Sequence, residues 1–252
     1  MKSPAQDQTA REEFRDLLNS SRRVVFLTGA GISTESGIPD FRSPGGLYSD
    51  PDNVNVFEIS AFLADPSNFY RFWGRFLPVL EQARPNPAHR AIARLQDSRR
   101  VTVVTQNIDD LHQRAGSETV WCVHGTIASS RCLDCGARIE TFELYPVIRK
   151  GEVPRHSCGG VFKPEVTFFG EALPEVDWIN SQSAIREADL LCLVGTSLTV
   201  FPAAQLPAYR NPDCRLAIVN RGSTPLDGEA DLVIRGSAGE VFREWGMGNS
   251  NQ

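Results

Sequence analysis

Residues Val24–Tyr48 read VVFLTGAGISTESGIPDFRSPGGLY, and this stretch decides the expected fold. Its first part, 24–27, is a short apolar run of the kind that forms a buried strand. The run ends in Thr28-Gly29-Ala30-Gly31, after which Ser33 or Thr34 can cap a helix. A strand that breaks at glycines and continues as a helix directs backbone N–H groups and the positive end of the helix dipole outward. The stretch therefore predicts an anion site suited to a pyrophosphate.

The glycine turn alone is a weak signal. It only partly matches the dinucleotide pattern G-x-G-x-x-G, because Thr34 stands where the third glycine belongs, and a turn of this type fits any α/β protein. The residues that follow favour a nucleotide, since Asp40-Phe41-Arg42 precede the helix-breaking segment 43–46. Such a loop can close over a bound nucleotide, with Arg42 on a phosphate and Phe41 on a sugar face.

The composition is that of an ordinary globular chain. Of 252 residues, 41% are hydrophobic and 23% charged, which suffices for one large domain or for one domain with an inserted module. The net charge of −5 and the lack of any Lys/Arg block argue against a nucleic-acid or membrane-surface role. No stretch approaches the roughly 20 apolar residues of a membrane span, and residues 1–10 lack the apolar run of a secretory signal. We therefore expect a soluble cytoplasmic protein whose cysteines are metal ligands or core thiols.

Short apolar segments alternate with helical segments along the chain. A capping box of Thr9 and Glu12 predicts a first helix over 10–19. Asn86-Pro87 opens another over 88–96, which is expected to be a surface helix carrying His89. Besides 24–27, the predicted strands are 101–105, 120–123, 189–194, 215–219 and 231–234. The strands end in small or polar clusters at 29–31, 106–109, 124–126, 195–197, 220–222 and 236–238. In an open parallel sheet the carboxyl ends of the strands line the ligand crevice, so the pattern predicts an α/β fold with its site at this edge.

Two segments interrupt this alternation. From 47 to 82, aromatic residues recur at roughly helical spacing between prolines. This favours a small helical insertion with an aromatic core, and the alternative is that the rings line one side of a cleft. From Cys132 to about residue 160 the segments are short, polar and rich in turns.

The motifs resemble those of the sirtuin family, in the family's order: GAGISTESGIPDFR (29–42), TQNIDDLHQRAG (105–116), HGT (124–126), FFGE (168–171), GTSLTVFPAA (195–204) and Asn220. Sirtuins are NAD-dependent protein-lysine deacylases, and the compact chain is most similar to the bacterial deacetylase type. The resemblance implies an α/β fold, with a Rossmann-like parallel sheet and helices on both faces, formed by 1–44, 85–126 and 166–252. It also implies a small domain of two insertions, a helical module at 45–84 and a zinc-ribbon module at 127–165.

The resemblance assigns catalysis to His124, Asn107 and Asp109. In the implied reaction the substrate amide oxygen attacks C1′ of NAD, and His124 then takes a proton from a ribose hydroxyl. An imidazole with an ordinary pKa of about 6.5 suits that transfer at neutral pH. Asp109 is expected to accept a hydrogen bond from the nicotinamide carboxamide. Asn107 is expected to bond the ribose or a catalytic water, and a helix N-cap is the alternative for it.

Many of the implied binding residues lie on the strand-end loops. For NAD they are Gly29, Ala30, Gly31, Thr34, Asp40, Phe41, Arg42, Gln106, Asn107, Ile108, Asp109, Gly195, Thr196, Ser197, Asn220 and Ala238. For an acetylated protein or peptide they are Val166, Phe168, Phe169, Gly170, Glu171, Leu198 and Val200. Main-chain pairing of a peptide strand between these segments tolerates many sequences. Phe168 and Phe169 are expected to wall a lysine tunnel, with simple core packing as the alternative.

Acyl preference is expected to depend on the aromatic helix. Desuccinylase-type sirtuins carry a Tyr and, three residues on, an Arg that hold an acidic acyl group. Alignment on Asp65-Pro66-Ser67 puts Trp73 and Phe76 at these positions. Neither side chain can pair with a carboxylate, which favours short neutral acyl groups such as acetyl.

Sirtuins typically hold one structural zinc with two Cys-x-x-Cys pairs. Cys132 and Cys135 form the first pair, but Arg155 stands three residues before Cys158, and arginine keeps its proton. His156 is the expected fourth ligand, although the H-x-C spacing is tight. The rival is a degenerate site that binds metal weakly or not at all. The other cysteines, expected to be inert core thiols, are Cys122, Cys192 and Cys214.

Two further functions stay open at the level of sequence. The same site can transfer ADP-ribose to a protein nucleophile, and the intact 168–171 segment argues only mildly against this. A non-catalytic NAD-sensing module is the other, against which the set of Asn107, Asp109 and His124 argues. A dehydrogenase has little support, because the third glycine is missing and nothing resembles a hydride-transfer site.

Overall fold

Residues 4–40, Gly46 and 55–246 are described in the computed structural model. Within them, the strands are β1 (Arg23–Thr28), β2 (Arg100–Thr105), β3 (Val120–Cys122), β4 (Gly125–Cys132), β5 (Arg138–Glu140), β6 (Phe162–Val166), β7 (Leu190–Val194), β8 (Arg215–Val219) and β9 (Leu232–Ile234). The larger sheet is parallel throughout, in the order β3-β2-β1-β7-β8-β9. The smaller sheet, β5-β4-β6, is antiparallel.

The helices connect and cover these sheets. They are α1 (Pro4–Ser20), α2 (Ile59–Ala64), α3 (Ser67–Gln82), α4 (Pro87–Arg94), α5 (Leu111–Arg114), α6 (Tyr145–Ile148), α7 (Glu175–Glu187) and α8 (Ala238–Gly246). Over the described ranges, none combines the length and the apolar character that crossing a bilayer requires.

The parallel sheet is buried on both faces. In β1, Val24 and Phe26 belong to an apolar cluster shared with α1, α4 and α8. Val25 and Leu27 belong to a second cluster, shared with α7 and the 203–209 turn. Strands covered on both sides are apolar at consecutive positions, which is why the run 24–27 was recognisable in the sequence. The predicted α/β sheet with helices on both faces is confirmed.

The aromatic residues of α3 pack against the smaller sheet in a third apolar cluster. Phe168, which follows β6, lies at its centre, with its ring centroid 5.4 Å from that of Phe62 and 5.1 Å from that of Phe69. Edge-on and tilted contacts at these separations are the favoured arrangements of aromatic pairs. The expectation that these rings form a core is confirmed.

Two local predictions are wrong. Helix α1 begins at Pro4 and not near residue 10, because proline suits the first turn of a helix, where its missing N–H needs no partner. Thr9 and Glu12 therefore lie inside the helix and do not cap it. His89, expected on a surface helix, is fully buried, and its Nδ1 accepts the Asn86 N–H at 3.3 Å in the cap of α4.

Candidate functional site

A cavity of about 410 Å³ lies where the parallel strands end. Its volume falls in the range of small-molecule sites. The residues expected to contact NAD that line it are Gly29, Ala30, Gly31, Thr34, Asp40, Gln106, Asn107, Ile108, Gly195, Thr196, Ser197, Asn220 and Ala238. Asp109 lies behind this cavity, on a smaller one, and Phe41 and Arg42 fall outside the described residues. The strand ends thus meet as the sequence pattern predicted.

The glycine turn after β1 differs from the predicted strand-to-helix turn. Two short 3-10 segments, Ala30–Ile32 and Thr34–Ser36, replace the expected α-helix, and neither Ser33 nor Thr34 caps a helix with its side chain. The Gly29 and Gly31 N–H groups are not free for an anion. They donate to the carbonyl oxygens of Val194 and Gly195, at 3.1 and 2.9 Å.

These glycines are needed because two loops touch. A Cβ on Gly31 would lie 2.8 Å from the Gly195 carbonyl oxygen, and one on Gly29 would lie 2.8 Å from the Thr196 Cβ. Gly195 itself has φ +60°, a conformation that L side chains rarely adopt. The ends of β1 and β7 are thereby fixed against each other at the floor of the cavity.

A chain of hydrogen bonds organises the loop after β2. The Asn107 Nδ2 donates to the Gly29 carbonyl oxygen and to the Ser33 Oγ, both at 3.1 Å, and the Ser33 hydroxyl donates to the Asp109 Oδ2 at 2.6 Å. Burial raises the pKa of Asp109, and the Ser33 hydrogen bond partly opposes the rise. Helix α5 has Asp110 at its N-cap, so Asn107 is not the cap of that helix.

His124 contacts the same loop. Its Nδ1 lies 3.0 Å from the Gln106 carbonyl oxygen, and because a carbonyl only accepts, Nδ1 carries the proton and Nε2 keeps its lone pair. Burial lowers the pKa of His124, and the bond to Gln106 partly offsets this. The ring lines the cavity, so an unprotonated imidazole nitrogen is available there.

The expected substrate segments border the same cavity. Val166, Phe168, Phe169, Glu171 and Val200 line it, whereas Gly170 and Leu198 are not among its lining residues. Phe169 is 44% exposed, which suits contact with a ligand, but Phe168 is 1% exposed and serves the aromatic core. The Thr167 N–H donates to the His124 carbonyl oxygen at 2.9 Å, so the segment after β6 is attached to the backbone of His124.

The second cavity, of about 70 Å³, lies behind the loop after β2. Ser33, Ile108 and Asp109 line one side of it, and Trp73 and Phe76 line another. Within the described residues, its lining includes no arginine or lysine. This recess is therefore apolar except where Ser33, Gln106, Asn107 and Asp109 line it.

Cys132, Cys135, His156 and Cys158 form a cluster in the smaller sheet, and their ligand atoms all lie within 4.8 Å of one another. The His156 Nδ1 lies 3.3 Å from the Cys135 Sγ and 3.2 Å from the Cys158 Sγ, and the Cys132 and Cys158 Sγ atoms are 3.6 Å apart. Three thiols and one imidazole fit a tetrahedral zinc with bonds of about 2.0 to 2.3 Å. Zinc with His156 as the fourth ligand therefore fits these residues.

The remaining cysteines are not equally buried. Cys192 and Cys214 are core thiols, as expected. Cys122 is half-buried and accepts the Gln113 Nε2–H at 3.3 Å, so it is not a core residue. Burial nevertheless raises its pKa to about 11, which keeps it a thiol.

Two residues important for this geometry escaped the sequence reasoning. The local sequence predicts only a capping role for Ser33, and nothing near it indicates that its hydroxyl reaches the carboxylate of Asp109, 76 residues away. Lys163 is a buried cation in β6 whose Nζ bonds the Val166 carbonyl oxygen and Glu171. The available signal was a lone lysine that directly follows the apolar pair Val161-Phe162.

Comparison with known proteins gives a consistent result. The model of the Sir2 family matches residues 29–202. A protein of Cutibacterium acnes named NAD-dependent protein deacetylase is 43% identical, over 92% of this chain and 95% of that protein. One of Thermotoga maritima with the same name is 42% identical, over 88% of this chain and 91% of that protein.

Solved structures agree with this. A Sir2 complex with a p53 peptide and NAD⁺ superposes with a TM-score of 0.85 at 40% identity, covering 92% of this chain and 95% of that one. A Sir2 protein bound to a propionylated peptide gives a TM-score of 0.84 at 39% identity, with 92% and 95% coverage. The family model, the relatives and the solved structures each match most of this sequence. The chain therefore belongs to the Sir2 family.

Proposed function

We propose that the protein is an NAD-dependent protein-lysine deacetylase, a transferase that produces nicotinamide, free lysine and O-acetyl-ADP-ribose. The observation that carries the proposal is the His124 ring, which lines the cavity and leaves Nε2 unprotonated while Gln106 holds Nδ1. The Cutibacterium acnes and Thermotoga maritima relatives carry the deacetylase name, which supports the same activity here.

Bound NAD supplies an activated bond between nicotinamide and ribose. Asp109 accepts a hydrogen bond from the carboxamide of nicotinamide. The Ser33 hydroxyl donates a hydrogen bond that holds the Asp109 carboxylate in place. The Asn107 Nδ2 donates to the Gly29 carbonyl oxygen and to the Ser33 Oγ. These two hydrogen bonds fix the orientation of the amide and therefore the direction of its Oδ1. His124 takes the proton from a ribose hydroxyl through Nε2.

The rest of the cavity binds the dinucleotide and the peptide. Gly29, Gly31 and Gly195 allow two loops to approach so closely that the cofactor faces backbone. Thr196, Ser197, Asn220 and Ala238 contact the phosphate, ribose and adenine groups, which is supported by their place on the lining. The acetylated peptide lies between 166–171 and 197–201 as an added strand.

The acyl group is short and neutral. The walls near Trp73 and Phe76 are apolar, and neither side chain can pair with a carboxylate. We expect acetyl and propionyl peptides to be turned over faster than a succinyl peptide, and competition between acetyl and succinyl peptides of one sequence measures this. Preferred use of the succinyl peptide would contradict the assignment.

The chain is divided into an NAD-binding domain and a small domain. Residues 1–44, 85–126 and 166–252 form the NAD-binding domain, and 45–84 and 127–165 form the small domain. The zinc held by Cys132, Cys135, His156 and Cys158 supplies a closed structural cross-link and no catalytic step. A cytoplasmic location is supported by the six cysteines, all of which lie in the described part of the chain and none of which is in a disulfide.

One experiment tests the reaction. The protein is incubated with an acetyl-lysine peptide, with and without NAD, and the peptide mass and released nicotinamide are followed together. We expect one acetyl group lost per nicotinamide formed, and no loss without NAD. A peptide that gains an ADP-ribosyl mass would identify a transferase of ADP-ribose. If the peptide neither loses its acetyl group nor gains ADP-ribose, NAD sensing is the only one of the three functions that is left.

A further inference from the structure

Lys163 is a buried cation that the mechanism above does not use. Its side chain is 8% exposed, and its Nζ lies 2.8 Å from the Glu171 Oε2 and 2.7 Å from the Val166 carbonyl oxygen. The same Nζ is 4.1 Å from the centroid of the Phe168 ring. A buried charge is costly unless it is paired and hydrogen-bonded, and here a carboxylate, a carbonyl and an aromatic face satisfy it together.

These partners all belong to one segment. Val166 ends β6, Phe168 and Glu171 follow it, and all three border the cavity, while Lys163 reaches them from within β6. The Glu171 Oε2 also accepts the Phe168 N–H at 2.7 Å, so one carboxylate oxygen joins the lysine to the backbone of the segment. Glu171 was expected to contact the substrate, yet this oxygen already serves two partners within the chain.

The segment is also attached through the Phe168 ring, which packs in the aromatic cluster, through the Phe169 carbonyl oxygen, which accepts the Ile59 N–H at 3.0 Å, and through two backbone N–H groups. The Thr167 N–H donates to the His124 carbonyl oxygen at 2.9 Å, and the Phe169 N–H donates to the Phe57 carbonyl oxygen at 2.7 Å. Lys163 and Glu171 add a further attachment, which joins Val166 to Glu171 across the turn of the segment. Among the described residues, the Lys163 Nζ contacts Pro164, Val166, Phe168 and Glu171, and neither the glycine turn nor the 195–197 loop.

We propose that Lys163, paired with Glu171, is a positioning residue that holds 166–171 in the shape against which the acetylated peptide pairs. The inference rests on the proposed deacetylase function and deepens it. The ion pair sets affinity for the peptide and leaves affinity for NAD unchanged, because the bonds that Lys163 and Glu171 form are with Pro164, Val166 and Phe168 and with each other, and none of these residues is expected to contact NAD.

The test compares Lys163→Met, Glu171→Gln and the double variant with the wild-type protein. We expect each single change to raise the peptide KM by about tenfold or more, as befits loss of a charge-assisted hydrogen bond, with the NAD KM within about twofold of wild type. Because the two residues act as a unit, the double variant should lose less than the product of the two single effects. Fluorescence anisotropy of a labelled acetyl-lysine peptide measures the same loss without turnover.

Arg138→Met is the matched control. It removes an ion pair with Glu165 at 3.0 Å in the same sheet, where the arginine side chain is 69% exposed and outside the 166–171 segment. We expect both KM values to stay unchanged. If Lys163→Met does not fold, Glu171→Gln alone carries the comparison, since its side chain is partly exposed and keeps its size.

The outcomes separate the two proposals. A wild-type protein without turnover defeats the deacetylase function, and anisotropy then still measures whether the ion pair positions a peptide. Turnover with an unchanged peptide KM in the variants, an equal rise of both KM values, or a fully additive double variant would overturn the role of Lys163.

Discussion

At His124 a single backbone carbonyl decides which ring nitrogen can act as a base. The Gln106 oxygen fixes the proton on Nδ1, and burial favours the neutral ring. The sequence indicated the residue type and its place after a strand. The sequence does not indicate the tautomer of His124, because the tautomer depends on the Gln106 carbonyl oxygen, 18 residues earlier.

The first prediction concerns removal of that imidazole. His124→Ala should lower kcat/KM for deacetylation by about 10²–10⁴-fold, the usual worth of a general base. The NAD affinity should persist, because the loops at 29–31 and 195–197 do not depend on the ring. Product analysis gives the rate and calorimetry gives NAD binding. Activity close to wild type would remove the assignment of His124.

The pH profile of the wild-type protein tests the state of the same ring. The base must be unprotonated, and its pKa is lowered from the ordinary value by burial. The rate should therefore stay level as the pH falls from 7 and decline only below about 6.5, the ordinary histidine pKa. Measuring kcat/KM from pH 5 to 8 locates this limb. A limb above pH 7 would mean a raised pKa and contradict the geometry.

At the scale of elements, the ends of β1 and β7 act as one unit. Gly31→Ala should lower the free energy of unfolding by about 1–3 kcal/mol, as overpacking does, and raise the NAD KM, because the new Cβ would lie 2.8 Å from the Gly195 oxygen. Urea unfolding and initial rates measure the two effects. Gly228→Ala is the control, since a Cβ there meets no atom within 4 Å. Equal behaviour of both variants would contradict the close contact.

The elements also show what the sequence can predict. The strands of the parallel sheet were predictable within a residue or two because both of its faces are apolar, as in β1 and β7, whereas β4, β5 and β6 of the smaller sheet were not predicted. The turn after β1 was not, since the Gly31 N–H bonds Gly195, more than 160 residues away, and this contact selects 3-10 segments over a helix. Local propensity carries no information on such a partner.

The two turns that carry Cys132, Cys135, His156 and Cys158 are another unit that can be tested. We expect about one zinc per chain in protein purified without added metal, because three thiols and the His156 Nδ1 converge. His156→Ala should lower the zinc content measured by elemental analysis. Ser157→Ala is its control, as that hydroxyl lies 3.5 Å from the opposite nitrogen, Nε2. A wild-type content near zero would favour a degenerate site.

At the scale of the whole molecule, the cavity has a buried polar layer behind it. The His112 Nε2 lies 3.0 Å from the Thr28 Oγ1, which donates to the Thr105 Oγ1 at 2.9 Å, so the ends of β1 and β2 are linked through side chains. The His89 and His112 ring centroids are 4.8 Å apart. The sequence pattern could not reveal this layer, because histidine occurs both on the exposed face of a helix and as a buried residue that forms hydrogen bonds.

The layer ties the stability of the molecule to pH. Burial lowers the pKa of His89 to about 2 and that of His112 to about 3, whereas in the unfolded chain both take up protons below about 6.5. The unfolded state then binds more protons, so the free energy of unfolding is unaffected above pH 7 and falls as the pH drops from about 6.5. Each ring contributes a slope of up to about 1.4 kcal/mol per pH unit.

His112→Gln isolates one of these contributions. Glutamine removes a titrating group and keeps an N–H of the kind that meets the Thr28 Oγ1. Urea unfolding between pH 4.5 and 8 should give a slope below pH 6.5 that is smaller by about 1.4 kcal/mol per pH unit than in the wild type, because one proton fewer is taken up on unfolding. Above pH 7 the two curves should run parallel, which serves as the internal control. Equal slopes in the acidic range would mean that His112 takes up its proton in the folded protein, and the buried polar layer would then have to contain a charge that the surrounding apolar core does not compensate.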